Sequence, residues 1–447
     1  MRIKEISVRN YRNLKELNVC FPDSNMIAFI GKNGSGKSSV LENIAETFTL
    51  AKDIDNGSNI YYDFDYTYSI DSNQYRIENG NGTFFHYKNG AKDIRNLKND
   101  LPKVIFTYYA GETNRLNSFS DYFQQSYDNY LRTKTDDNID LRFVTSFSLK
   151  DFSIAFFANY VFETTAFGKI KELLGFSEVD EHRIQLHFKK PYWASASGSV
   201  SDLWGARGFN KLFFDKLIQE DEEYGVGPFI EFDSDEDRID LAVGHSDLFR
   251  DLAETPLALY TKLKAMLDSG FLAGITIFVK KDGESIPLSF FSEGEKQLAN
   301  LLMLLDLTKE YKALFLLDEF DAYLHPNWQR DFVKMVSDID IRGQVFFTTH
   351  SPASISKLRR ENVFIMRNGE AVNPESETNN RALNEIMIEQ MDVGMRAPDV
   401  EKLYDDFKQC IADGNKEKAE FIMTKLKVIL DEKDPIFIKM RLVLRRI

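Results

Sequence analysis

The chain has 447 residues, 43% of them hydrophobic, and sets 56 basic against 70 acidic side chains for a formal charge of −14. That length and apolar content suit two or three globular cores, and the acidic balance disfavours a surface that binds nucleic acid over its whole extent, leaving room for a local basic patch. No apolar run of about 18 residues marks a membrane span, and Met1 leads into alternating sequence where a signal region would be apolar, so a cytoplasmic protein without membrane contact is expected. Cys20 and Cys410 are too few for a zinc cluster or a disulfide framework and read as buried small apolar residues.

Residues 1–20 alternate apolar and polar side chains around the turn-like Asn10-Tyr11-Arg12-Asn13, as two half-exposed strands would. MIAFI at 26–30 reads as a short buried strand, and SSVLENIAETFTL at 38–50 has apolar residues at helical spacing. Between them lies GKNGSGKSS at 31–39. Strand, glycine loop and helix in that order make a phosphate-holding loop: Gly31, Gly34 and Gly36 let backbone amides turn inward around a phosphate chain, with Asn33, Ser35 and Ser39 beside them. Lys37 reaches the terminal phosphates and the Ser38 hydroxyl can ligate magnesium, so ATP and Mg2+ are the expected ligands. The plain alternative is a glycine-rich connection and nothing more.

Residues 51–100, with several Asn-Gly turns, read as a small antiparallel hairpin layer, and PKVIFTYYAGETNRL at 102–116 as an apolar strand ending in a polar loop. The stretch 117–270 is mixed, largely helical and rich in Phe and Tyr. Within it LHFKKPYW at 186–193 interleaves Lys189 and Lys190 with Phe188, Tyr192 and Trp193, a mixture that could stack on and neutralise nucleic acid, although an ordinary strand and loop is the favoured reading. DSDED at 233–237 lacks the glycine and glutamate spacing of a calcium loop and reads as a solvated loop.

In FFSEGEKQL at 290–298, Ser292 and Gly294 stand at a helix entrance, where a hydroxyl and free amides can meet an anion; a simple N-cap is the alternative. LFLLDEF at 314–320 delivers Asp318 and Glu319 to a strand end, Asp318 to hold magnesium through its water shell and Glu319 to polarise an attacking water, unless the pair is only a solvated terminus. After the next apolar strand, His350 in TTHSP can hydrogen-bond a terminal phosphate. His325 is expected to shape the loop after the carboxylates, while His86, His182, His187 and His245 read as structural or exposed. Beyond residue 382 come two amphipathic helices joined at a glycine.

Taken in order, and including NYRNL near the start and the phrase DEFDAYLHP, these residues resemble the ABC-type AAA ATPases of the SMC, RecF and OLD branch over about residues 1–50, 100–116 and 270–370. The resemblance implies an α/β fold: an ABC-type P-loop NTPase head with an antiparallel β-subdomain, an inserted mostly helical lobe and a C-terminal helical tail, divided at 1–116, 117–270, 271–380 and 381–447. It implies that Ser292, Gly294 and Glu295 form a signature contacting nucleotide held by another subunit, that Asp321 lies in a loop crossing the dimer interface, and that Arg12 and Asn13 contact nucleotide. A homodimer or higher homo-oligomer held by ATP follows.

Two departures stand out. YYAGETNRL has no clear counterpart of the family's metal-sensing glutamine, and 117–270 lacks the sustained heptads of an SMC coiled coil. No histidine follows His350, and the segment after it has no apolar strand leading to paired carboxylates, so any nuclease is expected on a separate chain. Layout and tail wording resemble the ATPases of Septu-type and retron-associated antiphage systems, implying an ATPase that gates a partner nuclease. The competing readings are a RecF-like repair ATPase and a nucleotide-dependent scaffold with negligible turnover; Glu319 speaks against the scaffold.

Overall fold

Alternating segments and continuous apolar runs sort into different sheets in the computed structural model, which describes the chain apart from residues 57–59, 94, 111–114, 195–198, 224–228, 234–236, 244, 380, 382, 384–385, 387–397, 432–433 and 445–447. The chain divides into two units, Met1–Asn379 and Asn380–Ile447.

In the first unit β1 (Arg2–Tyr11) and β2 (Leu14–Cys20) pair antiparallel around the Arg12-Asn13 turn. β3 (Met26–Ile30), buried at every position, leads through the glycine loop into α1 (Lys37–Lys52). β4 (Asp63–Ile70), β5 (Asn73–Gly80), β6 (Thr83–Lys88) and β7 (Ala91–Lys92) follow as hairpins. The Asn81-Gly82 and Asn89-Gly90 turns both run through positive φ, as two-residue hairpin loops require. These six strands form one antiparallel sheet, β2-β1-β4-β5-β6-β7, whose inward residues, Tyr66 and Tyr68 among them, pack on α1 through Phe48.

β8 (Ile105–Tyr109) is followed by α2 (Asn117–Tyr122), α3 (Gln124–Thr133), β9 (Val144–Phe147), α4 (Phe152–Val161), α5 (Thr165–Leu174), β10 (Glu178–Lys189), α6 (Phe209–Glu223), β11 (Phe229–Asp233), β12 (Arg238–Ala242), α7 (Leu248–Leu252) and α8 (Pro256–Asp268). Then come β13 (Leu272–Lys281), β14 (Glu284–Pro287), α9 (Glu293–Leu307), β15 (Leu314–Asp318), α10 (Pro326–Ser337), β16 (Gln344–Thr348), α11 (Pro352–Ile355), β17 (Val363–Arg367) and β18 (Glu370–Val372). The stretch 117–270 therefore carries strands as well as helices. β9 forms the edge of the seven-stranded sheet described next, and β10, β11 and β12 join β13 and β14 in a five-stranded antiparallel sheet, β11-β12-β10-β13-β14, that draws on both sides of residue 270.

The apolar runs build the third sheet, β18-β17-β3-β16-β15-β8-β9, parallel throughout except for β18. Because β3, β15 and β16 are buried at every position, their polar residues can appear only at the strand ends, which is what gathers the functional side chains on one edge.

The second unit holds α12 (Pro398–Ala412), α13 (Lys416–Ile429) and α14 (Pro435–Leu444), packed around Phe407, Leu426, Phe437 and Met440. Cys410 is buried in this core, but Cys20 is exposed: it closes β2, whose alternation turns Val19 inward and Cys20 outward. No helix among the described residues is long and apolar enough to cross a membrane.

Candidate functional site

The glycine loop leaves the C-terminal end of β3 beside the ends of β16 and β15, where the register aligns Phe29 with Thr348 and Phe347 with Leu317. Gly31 has φ +142°, and a Cβ there would lie 2.6 Å from the Met366 carbonyl of β17, so no side chain fits where the loop starts. The β17–β18 hairpin closes the same loop from outside, with Gly369 N–H donating to the Ser35 carbonyl at 3.1 Å.

Lys37 opens α1 and is almost wholly buried, its ammonium donating to the Gly31 carbonyl at 3.0 Å and the Lys32 carbonyl at 3.1 Å. Burial pulls its pKa down, and Glu319 and Asp318 oppose that shift. One residue on, the Ser38 hydroxyl donates to Asp318 Oδ1 at 3.0 Å. Thr348 donates to the same oxygen, and its hydroxyl accepts the Glu319 N–H at 2.9 Å. Asp318 is fully buried and its Oδ2 has no hydrogen-bond partner among the described residues. Burial raises its pKa, against the two hydroxyl hydrogen bonds.

Glu319 has φ +50°, a conformation that costs a residue with a side chain about 1–3 kcal/mol and turns it out of the line of β15. The Thr348 hydroxyl holds that turn through the Glu319 N–H. The Glu319 carboxylate stands half exposed, with His350 Nε2 3.7 Å from Oε1. Burial and the nearby Lys37 hold the His350 imidazole below its usual pKa, which favours the neutral ring.

The remaining expected residues divide. Asn13 donates to the Gly34 carbonyl at 3.0 Å and so touches the loop directly. Arg12 instead pairs with Glu42, a fully buried carboxylate on α1 that Arg115 also approaches at 3.9 Å. Ser35 and Ser39 are buried, with Ser35 Oγ without a partner among the described residues, whereas Asn33 is exposed at the loop tip. Asp321 points inward, its carboxylate accepting from Thr349 and Ser354, so its side chain braces the chain's own loops. His325 caps α10, accepting from Asn327 N–H at 3.3 Å.

Ser292 is the N-cap of α9 in a reciprocal capping box: its hydroxyl accepts the Glu295 N–H, and Glu295 Oε2 accepts the Ser292 N–H at 2.8 Å. At Gly294 a Cβ would fall 2.5 Å from the Tyr323 carbonyl, and Gln297 donates to the Phe320 carbonyl, so the helix start is fastened to the loop that follows Glu319. Residues 111–114 of YYAGETNRL and 234–236 of DSDED lie outside the described residues.

Thr348 and Glu42 were not anticipated. Thr348 is adjacent in sequence to the expected histidine loop but looks like any β-branched strand residue, while Glu42 shares its helix face with Ser38 and Glu46 and so reads as part of an ordinary polar stripe. As a chemical arrangement, a buried carboxylate with one free oxygen, a hydroxyl beside it and an ammonium one residue away suit a hydrated divalent cation and a phosphate chain.

Residues 26–356 match the family model described as "AAA domain, putative AbiEii toxin, Type IV TA system". The chain is 21% identical over 411 residues to the Retron Vc95 probable ATPase of Vibrio cholerae serotype O1 biovar El Tor, covering 82% of this chain and 73% of that one. It is 41% identical over 44 residues to the Septu protein PtuA of Bacillus thuringiensis, covering 10% of this chain and 11% of that one. A solved SMC head bound to the C-winged helix domain of ScpA matches at 13% identity and a TM-score of 0.36, over 87% of this chain and 100% of that one, too loosely to argue from. The family match spans well over half of the chain, which therefore belongs to this family of AAA-domain proteins, with an α/β fold built on a mostly parallel sheet.

Proposed function

We propose that the chain binds and hydrolyses Mg2+-ATP at the ends of β3, β15 and β16, that two copies close head to head around the nucleotide, and that this cycle gates a separately encoded nuclease in antiphage defence. The observation that carries the nucleotide reading is the buried, unpartnered Asp318 Oδ2 beside Ser38 and Lys37.

In this reading Lys37 exchanges the Gly31 and Lys32 carbonyls for the terminal phosphates, a charge-assisted contact that replaces a neutral one. Ser38 and Asp318 hold Mg2+, which when bound neutralises charge shared between the outer phosphates. Thr348 fixes Asp318 and the Glu319 backbone together, so that the Glu319 carboxylate is aimed outward to orient a water and accept its proton. A neutral His350 donates one N–H to the terminal phosphate without adding charge. Ser292, Gly294 and Glu295 would meet the nucleotide on a second copy, with Ser292 and Glu295 already satisfying each other within one chain. The names of the Vibrio cholerae and Bacillus thuringiensis relatives support the defence setting.

The test is to express the tagged full chain from its own locus and identify what co-purifies by mass spectrometry. A stoichiometric nuclease is expected; recovery of the chain alone, or with recombination proteins, overturns the gating role. In parallel, Glu319→Gln with Mg2+-ATP should run at twice the monomer mass by light scattering, and a monomer there overturns the shared-site dimer.

A further inference from the structure

A cavity of about 940 Å³ lies between edge strand β9, with its flanking helices, and strands β10 and β13 of the five-stranded sheet. None of the phosphate-loop, carboxylate or α9-entrance residues lines it, and its volume is that of a small-molecule site. Its floor is built of buried charge. The Lys264 ammonium lies 2.7 Å from Asp151 and 2.9 Å from Asp268, and Arg142 lies 2.6 Å from Asp268. These four charges cancel one another, and such a network is no more stabilising than apolar side chains of the same size, so packing does not explain it. Arg142 Nε and Ser120 Oγ remain buried without a partner among the described residues.

The rim is cationic. Lys150 and Lys189 are exposed and make no ion pair among the described residues. In all, five Lys and Arg side chains line the cavity against three Asp, in a chain whose formal charge is −14. Beside the mouth, the Tyr192 ring covers Gly270, where a Cβ would sit 3.4 Å from Tyr192 Cδ1. That ring is 67% exposed although its hydroxyl is anchored to Asp128, which makes it a held, open stacking surface.

We propose that this cavity binds a phosphorylated small molecule of nucleotide size, its phosphates against Lys150 and Lys189 and its ring system on Tyr192. A nucleic-acid strand would need cations and rings repeating along an open groove, whereas here the cations converge on one volume with a single ring beside it. This site is independent of the ATP site and of its proposed role.

Calorimetric titration of uridine bisphosphate into the full chain tests it. Affinity should fall at least about tenfold in the double variant Lys150→Glu/Lys189→Glu and in Tyr192→Ala, with Mg2+-ATP affinity unchanged in both. Lys150 and Lys189 are exposed and pair with no acid among the described residues, so the double variant should keep the parent melting temperature, whereas Tyr192→Ala also takes a donor from buried Asp128 and is held to be folded by its unchanged Mg2+-ATP affinity. Equal affinity across parent and variants, or no uridine bisphosphate binding, overturns the proposal. Binding of an oligothymidylate instead, lost in the same variants, would make the feature a strand groove and overturn the small-molecule reading.

Discussion

The phosphate edge of the parallel sheet and the entrance of α9 both present hydroxyl, amide and carboxylate groups, yet they are in opposite states. At the sheet edge the groups are buried and incompletely paired: Lys37 rests on carbonyls alone and Asp318 keeps one oxygen free. At α9 Ser292 is exposed, and it and Glu295 satisfy each other through the capping box. A buried polar group without a partner carries a standing free-energy cost that folding alone does not explain, whereas a capping box is explained by the helix it starts. In the proposed function the first region takes its ligand within one chain, and the second would meet a ligand on another copy.

The largest expected effect tests the first half of that contrast. Lys37→Ala should lower ATP affinity on the order of 10- to 100-fold, the loss of hydrogen bonds from a charged donor, measured by nucleotide titration. It should not lower the melting temperature, because the deleted ammonium is desolvated and donates only to neutral carbonyls. Unchanged ATP affinity would remove the loop from nucleotide binding.

Thr348→Val comes next. It keeps the side-chain shape but takes a donor from Asp318 and leaves the Glu319 N–H without its acceptor, for a stability loss of about 1–3 kcal/mol. Turnover should fall about tenfold with ATP affinity held, and Thr348→Ser should restore it, because the serine hydroxyl can make both bonds. Loss of stability with full turnover would make Thr348 a packing residue only.

These two residues also mark how far the sequence could be read. Lys37 and Ser38 were legible because glycine spacing, a preceding apolar run and a following helix are all local. Asp318 and His350 were placed by the same logic of a buried strand that can show polarity only at its end. Thr348 was not, since its role depends on β16 lying next to β15, a neighbour relation that no local pattern states. The five-stranded sheet was missed for a similar reason: β10 pairs with β13 across more than eighty residues, and the helices between them dominate the periodicity. Asp321, which the family resemblance places in a loop at a dimer interface, turns its own carboxylate onto Thr349 and Ser354, intrachain partners that no local pattern states either.

The smallest effect sharpens the second half of the contrast, through two substitutions at one position. Ser292→Ala removes the α9 cap and should cost about 0.5–2 kcal/mol of stability, read by denaturant unfolding, while the Glu295 side chain can still accept the Ser292 position's N–H. Ser292→Arg should cost a similar amount, since it also lacks the capping oxygen, and neither should change ATP affinity of the monomer. They part in association: the arginine places a long charged side chain on an exposed helix entrance, so ATP-dependent dimerisation should be lost there and kept in the alanine variant, by light scattering of each in the Glu319→Gln background. Equal association in the two variants would confine Ser292 to its helix cap, because a residue facing a partner's nucleotide cannot tolerate both substitutions alike.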